Sequence, residues 1–172
     1  MPGVLLDVRG HLAETPPMAR CPFSNVSTTP IRTAAWQVLV ADDDPSIQLV
    51  TRAALRHVTV AGRPLALSQA ASVADARAWL AGNAEPALLL LDVGLDTDDA
   101  GLILAREVRQ GLGNQTVRIL LRSGRDPESL RASVVGLDVG DVLGKATGTL
   151  PELRAAIITA LEAYARLTRT ED

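Results

Sequence analysis

Aromatic side chains are nearly missing from this 172-residue chain: two tryptophans, one tyrosine and one phenylalanine make up 2% of it. A core must therefore be built from Leu, Val, Ile and Ala, and a hydrophobic content of 47% supplies them amply. Cysteine occurs once, as Cys21, which excludes an internal disulfide. The two histidines, His11 and His57, do not cluster with it and read as surface residues, and Cys21 reads as an incidental thiol. Surplus positive charge is also missing. The net charge is −3 with 22% charged residues, so no basic field points to direct nucleic-acid binding. No apolar run approaches the roughly 18 residues of a membrane span. The first residues, Met1-Pro2-Gly3-Val4-Leu5-Leu6-Asp7, lack the basic start and long apolar stretch of a signal peptide. Together these absences make a cytoplasmic location, with no membrane partner, the expectation.

What is present is organised in two parts. Residues 1–35 carry prolines at 2, 16, 17, 22 and 30 and a Ser/Thr cluster over 24–29, with no sustained period. They read as an irregular extension of unassigned role. From Trp36 strand and helix signals alternate, giving a domain over 36–168 and a tail over 169–172. Strands are expected at Gln37–Ala41, Pro64–Ser68, Ala87–Leu91, Val117–Leu121 and Asp141–Leu143. Helices are expected at Pro45–Val58, Ser72–Gly82, Gly101–Gln110, Glu128–Val135 and Pro151–Leu167. Asp44 and Ser72 stand where caps belong, with Pro45 at a first helical position. Ile47, Val50, Ala54 and Val58 are expected on the inner face of the first helix. Leu150, Leu153, Ile157, Leu161 and Tyr164 are expected on that of the last. Trp36 and Trp79 read as packing residues. Five strands alternating with five helices imply an α/β fold: a doubly wound, five-stranded parallel sheet with helices on both faces.

Two apolar runs end in acid: Val38-Leu39-Val40-Ala41 before Asp42-Asp43-Asp44, and Leu88-Leu89-Leu90-Leu91 before Asp92. Runs of this length suit strands buried on both faces. Ligands of doubly wound sheets bind at the carboxyl ends of the strands. Carboxylates gathered at one sheet edge repel, and need a cation or a proton. A hard divalent ion such as Mg²⁺ is the natural guest of an all-oxygen set. Ser123 and Lys145 follow later strands and should reach the same edge. Lys145 is the only lysine in a chain that otherwise uses arginine. A nucleophilic carboxylate, a metal cage, a hydroxyl and a compact cation are the parts needed to form an acyl phosphate and hold its charge.

This ordered set resembles the CheY-like receiver domain of two-component response regulators over roughly Trp36 to Leu167. It is most similar to receivers found with a sensor-like domain of unknown function. The segments 91–102, Leu-Asp-Val-Gly-Leu-Asp-Thr-Asp-Asp-Ala-Gly-Leu, and 113–124, Gly-Asn-Gln-Thr-Val-Arg-Ile-Leu-Leu-Arg-Ser-Gly, carry the resemblance. It implies that Asp92 is the phosphoacceptor. Asp43 and the Gly94 carbonyl would be direct ligands of Mg²⁺ or Mn²⁺, and Asp42 would hold the ion largely through water. Ser123 and Lys145 would bind the phosphoryl oxygens. The sequence departs from the family pattern in three places. Asp96 stands where most receivers have proline, in a loop one residue longer. Lys145 is followed by Ala146 rather than by proline, so a trans bond or a rearranged loop is expected. Val142 occupies the aromatic switch position.

Rival chemistries fit less well. The stretch Gly140-Asp-Val-Leu-Gly144-Lys145-Ala146 has three residues between its glycines rather than the four of a phosphate loop, and Ala146 cannot ligate magnesium. Asp92-Val93-Gly94 lacks the second aspartate of aspartate-nucleophile phosphatases, and no G-x-G-x-x-G follows the first strand. The expected function is a phosphoacceptor receiver of a two-component system or phosphorelay. It would be charged by a histidine kinase or histidine phosphotransfer protein and would signal by binding a downstream protein or relaying phosphate. It would catalyse only its own phosphorylation and dephosphorylation, with homodimerisation left open. The last helix is followed by only a few residues, so no C-terminal output domain is expected. The alternative is a pseudo-receiver, a protein-interaction module not switched by phosphate.

Overall fold

The computed structural model describes residues 34–82, 85–146 and 148–169. The extension expected over 1–35 falls outside these except for Ala34 and Ala35, and so do Cys21 and His11. The strands are β1 (Trp36–Ala41), β2 (Thr59–Val60), β3 (Arg63–Ala70), β4 (Leu88–Asp92), β5 (Arg118–Ser123) and β6 (Asp141–Gly144). The helices are α1 (Pro45–Leu55), α2 (Val73–Gly82), α3 (Ala100–Arg106), α4 (Pro127–Ser133) and α5 (Leu150–Arg169). Arg169, expected in the tail, is thus the last residue of α5, and 170–172 are outside the described residues. The sheet order is β2-β3-β1-β4-β5-β6. All pairings are parallel except β2 with β3.

The sheet therefore has six strands where five were expected. The extra one is a two-residue edge strand, joined to β3 through Ala61 and Gly62, which have φ of 50° and 73°. Two consecutive positive φ values make the two-residue hairpin turn whose twist matches its strands. Strand signals cannot be read from two residues, so β2 was not visible in the sequence.

Alternation along the central strands sorts their side chains into two cores. Leu39, Ala41, Leu89, Leu91, Ile119 and Leu121 pack with Ala76, Leu102, Leu104 and Leu130 from α2, α3 and α4. Val38, Val40, Leu88, Leu90 and Leu120 pack with Leu55 of α1 and with Leu153, Ile157, Leu161 and Tyr164 of α5. Each fully buried leucine contributes about 1.5–3 kcal/mol. A near-absence of aromatics is thus offset by aliphatic packing on both faces. Two aromatics meet at one end of the sheet: Trp36 donates from Nε1 to the Val60 carbonyl at 2.9 Å. It also meets Tyr164 edge-on at 5.8 Å between ring centroids.

The α1 face differs from the expected one. Thr51 and Leu55 are its buried residues, while Val50 is 46% exposed. Asp44 does cap α1, accepting from the Ser46 and Ile47 amides. The stripe on α5 forms as expected except for Leu150, which is exposed in the first turn. Trp79 packs partly buried against the core beside Leu80, and His57 is exposed.

Helix α3 runs on into a π-helical segment, Glu107–Gly111, where one regular helix to Gln110 was expected. A π segment accommodates one extra residue in a helix, and here it carries the buried Arg109 inward. That guanidinium donates to the carbonyls of Asn114 at 2.7 Å, Val117 at 2.7 Å and Asp138 at 2.8 Å. Burial pushes its pKa down from the ordinary value, with the nearby Asp138 carboxylate opposing. Arg109 thus satisfies three carbonyls around the entry to β5, that of Val117 buried.

One glycine is dictated by close approach. Gly101, in the first turn of α3, lies so near the end of β4 that a Cβ there would sit 2.0 Å from the Asp92 carbonyl oxygen. Its amide donates to the Val93 carbonyl at 3.1 Å. Gly101→Ala should therefore cost at least about 1–3 kcal/mol by overpacking against backbone. Gly82→Ala, where a Cβ would meet nothing within 4 Å, should be neutral or slightly stabilising. Urea unfolding of the two variants checks this contrast.

Candidate functional site

The parallel register brings the site together. Ala41 pairs with Leu91, Asp92 with Arg122 and Ser123 with Gly144. The residues that end or follow these strands, Asp42, Asp92, Ser123 and Lys145, therefore lie side by side at one sheet edge. Trp36 lies at the opposite end of β1. The Lys145 amide donates to the Ser123 carbonyl at 2.7 Å, continuing the ladder one step past β6.

Lys145 is the centre of the arrangement. Its ammonium donates to Asp92 Oδ2 at 2.7 Å and to Asp42 Oδ1 at 3.2 Å. Asp42 is 1% exposed and Asp92 5%, so both carboxylates are removed from bulk water. Burial, which penalises the anion, raises the Asp42 pKa above its ordinary value. The Asp44 amide and Lys145 pull the other way, while the Asp92 charge adds to the rise. Burial likewise disfavours the charge on Lys145, but the bonds to Asp92 and Asp42 outweigh it and its pKa is raised. Asp92 Oδ1 accepts from the Gly94 amide at 3.2 Å. Ser123 is buried, and its Oγ accepts from the Arg125 amide at 2.9 Å.

All the acids expected at the metal site meet. Asp42, Asp43 and Asp92 each offer an oxygen, and these lie within 4.8 Å of one another, with Asp43 exposed. Asp42 Oδ2 is buried and receives no hydrogen bond, although the Lys145 ammonium lies 3.1 Å away as an ion-pair partner. A buried carboxylate oxygen without a hydrogen bond is costly. It fits a donor set built for a hard divalent cation, and the acidic pocket is compatible with one. A depression of about 370 Å³ opens beside Asp92, lined by Gly94, Asp98, Ser123, Gly124, Arg125 and Lys145.

Several further residues support the site. Gly101 lets α3 start directly against the end of β4. Asp96, at the position where most receivers have proline, has φ 55° and accepts from the Val73 amide at 2.8 Å. It thereby satisfies a free donor at the start of α2. Gln48 on α1 donates to the carbonyls of Asp42 and Ala70, fixing the strand ends. No local pattern announces Asp96 or Gln48, because their partners are distant in sequence. All described peptide bonds are trans, Lys145–Ala146 among them.

No family model matches the chain. A curated relative, the 3'3'-cGAMP-specific phosphodiesterase 2 of Vibrio cholerae, is 36% identical over 138 residues, 80% of this chain. The chain spans only 26% of that protein's length. Among solved structures, a response regulator receiver domain from Clostridium thermocellum superposes with a TM-score of 0.63 at 17% identity, covering 77% of this chain and 98% of the other. The signal receiver domain of an HD domain-containing protein from Pseudomonas fluorescens gives 0.66 at 21% identity, covering 78% and 93%. That of a putative LuxO repressor from Vibrio parahaemolyticus gives 0.68 at 16%, covering 80% and 98%. The chain therefore has the fold of response regulator receiver domains. Among the described residues no helix is long and apolar enough to cross a membrane.

The bridging ammonium sets a pH dependence in metal-free protein. Burial opposes the charge on Lys145, but its acidic partners prevail and raise its pKa from 10.5. Its stabilising contribution is therefore present below that value and lost as pH rises through the folded one. Lys145→Met should lose about 3 kcal/mol at pH 7, because the buried acids keep their charge without a partner. In that variant Asp42 is pushed further up, and a raised carboxyl pKa costs stability at higher pH. Acidification should therefore narrow the gap to wild type. Urea titrations in chelator at pH 7 and pH 5 measure it.

Proposed function

We propose that this chain, folded as a receiver, accepts phosphate on Asp92 from a phosphohistidine donor in a two-component system or phosphorelay. The observation that carries the reading is the Lys145 bridge between Asp92 and Asp42, at an acidic edge that also presents Ser123. A carboxylate oxygen of Asp92 attacks phosphorus, the bond from phosphorus to the donor nitrogen breaks, and an acyl phosphate forms on the wall of the open depression. Lys145 exchanges part of its pairing with Asp92 for a phosphoryl oxygen, and Ser123 turns its hydroxyl to donate to another. Asp43, Asp92 and the Gly94 carbonyl would hold Mg²⁺ or Mn²⁺ directly, with Asp42 behind them. When bound, that ion neutralises charge on the phosphoryl oxygens. The chemistry is confined to the chain's own phosphorylation and dephosphorylation, in the cytoplasm.

A histidine kinase or phosphotransfer protein is the proposed donor, and a downstream protein or effector module the proposed reader. The match to a quarter of a phosphodiesterase, and the likeness to a receiver from an HD domain-containing protein, support coupling to an effector. Readout cannot use an aromatic rotation. Val142 is buried, and α4 is tied to β6 by Arg131, which donates to Asp141 Oδ1 at 3.2 Å and to the Val142 carbonyl at 3.1 Å. Movement of Ser123 would instead pass to the loop before α4.

Asp92→Asn should take up no label from acetyl phosphate with Mg²⁺ while keeping the wild-type far-ultraviolet circular dichroism. Label retained by that variant would reject Asp92 as acceptor, and an unlabelled wild type would favour the pseudo-receiver. With a beryllofluoride mimic, hydrogen exchange should slow over 123–130. Protection confined to the Val142 strand, with 123–130 unchanged, would reject the proposed route.

A further inference from the structure

Arg125 follows Ser123 by two residues and lies on the rim of the Asp92 depression. Its guanidinium does not point at Asp92. It donates to Asp99 Oδ1 at 2.7 Å and to the Asp98 carbonyl at 3.3 Å, crossing from the loop after β5 to the loop before α3. Asp99 stands at the N-cap of α3, yet its carboxylate makes no capping bond, so its acceptor capacity is directed to Arg125 instead. Both partners are more than half exposed, at 53% and 57%. Exposed pairs of this kind are weak and exchange readily.

We infer that Arg125 and Asp99 form a latch across the mouth of the depression, and that Asp99 and a phosphoryl group on Asp92 compete for the one guanidinium. This rests on the reading of Asp92 as phosphoacceptor. A phosphoryl dianion offers Arg125 two oxygens in the fork geometry that guanidinium matches best. Phosphorylation therefore draws Arg125 off Asp99 and over the open side of the depression, and Asp99 is released to the first turn of α3. Asp99 is thus a positioning residue that opposes phosphoryl retention by holding Arg125 away. Loss of the phosphoryl group is hydrolytic. A water oxygen bonds to phosphorus, the bond from phosphorus to the Asp92 oxygen breaks, the carboxylate is regenerated, and the water protons leave with inorganic phosphate or pass to solvent. Gly94 places no side chain over that approach, so Arg125 is the side chain on the rim able to cover it.

The test is the lifetime of the labelled chain after removal of acetyl phosphate, in Mg²⁺, for wild type, Asp99→Asn, Arg125→Ala and the double variant. Asn is itself a good cap, so Asp99→Asn removes the competing charge without unsettling α3. Asp99→Asn should lengthen the lifetime about two- to fivefold, the range an exposed ion pair allows. Arg125→Ala should shorten it, and the double variant should match Arg125→Ala. A lifetime unmoved or shortened by Asp99→Asn, a lengthening that persists without Arg125, or an Arg125→Ala lifetime at or above wild type would each overturn the latch while leaving the acceptor reading intact. A wild type that takes no label overturns the acceptor reading and the latch with it.

Discussion

Two buried carboxylates share one ammonium, and the rest of the site is arranged around that fact. Asp42 and Asp92 end neighbouring strands, and the parallel register leaves them no way to avoid each other. Lys145, two strands away, reaches both because β5 and β6 carry the ladder across to it. The ammonium stabilises the charges without saturating them, since one Asp42 oxygen still receives no hydrogen bond. An edge of this kind is compatible with a further cation, and Asp92 also lines the open depression beside it. Arginine could not replace Lys145 on equal terms, because a planar fork would spread its bonds where a point charge between two carboxylates is needed.

The main architecture was legible because it rests on long apolar runs. Leu88–Leu91 and Val38–Ala41 could be buried strands from pattern alone, and the acids after them meet at one sheet edge as expected. Asp44 and Ser72 were legible as caps because capping is local: each accepts from an amide two or three residues on. What stayed hidden depends on distant partners. The α1 face was misassigned because Val50 and Thr51 differ by one step around the helix, and Thr51 is buried where it accepts from Arg122 on β5. Gly101 was visible as a helix-start glycine, but the reason for it is the backbone of β4 lying against it.

The departures from the usual receiver pattern have structural replacements. Asp96, in place of proline, ties the loop after β4 to α2 through a backbone amide. Val142, in place of an aromatic, fills the core, while Arg131 supplies a polar tether between α4 and β6. Its exposed bonds are open to water and salt, and they add to the packing of Leu130 in the core.

The π-helical segment constrains how this chain can change over time. Arg109 faces inward because the segment Glu107–Gly111 holds one residue more than a regular helix would. Each residue of an α-helix turns the chain by about 100°. Deleting a single position between 107 and 111 would regularise the helix and rotate Arg109 away from the carbonyls of Asn114, Val117 and Asp138. Those acceptors would then lose their donor at once. Lineages of this protein should therefore accept substitutions in this stretch far more readily than they accept a change in its length.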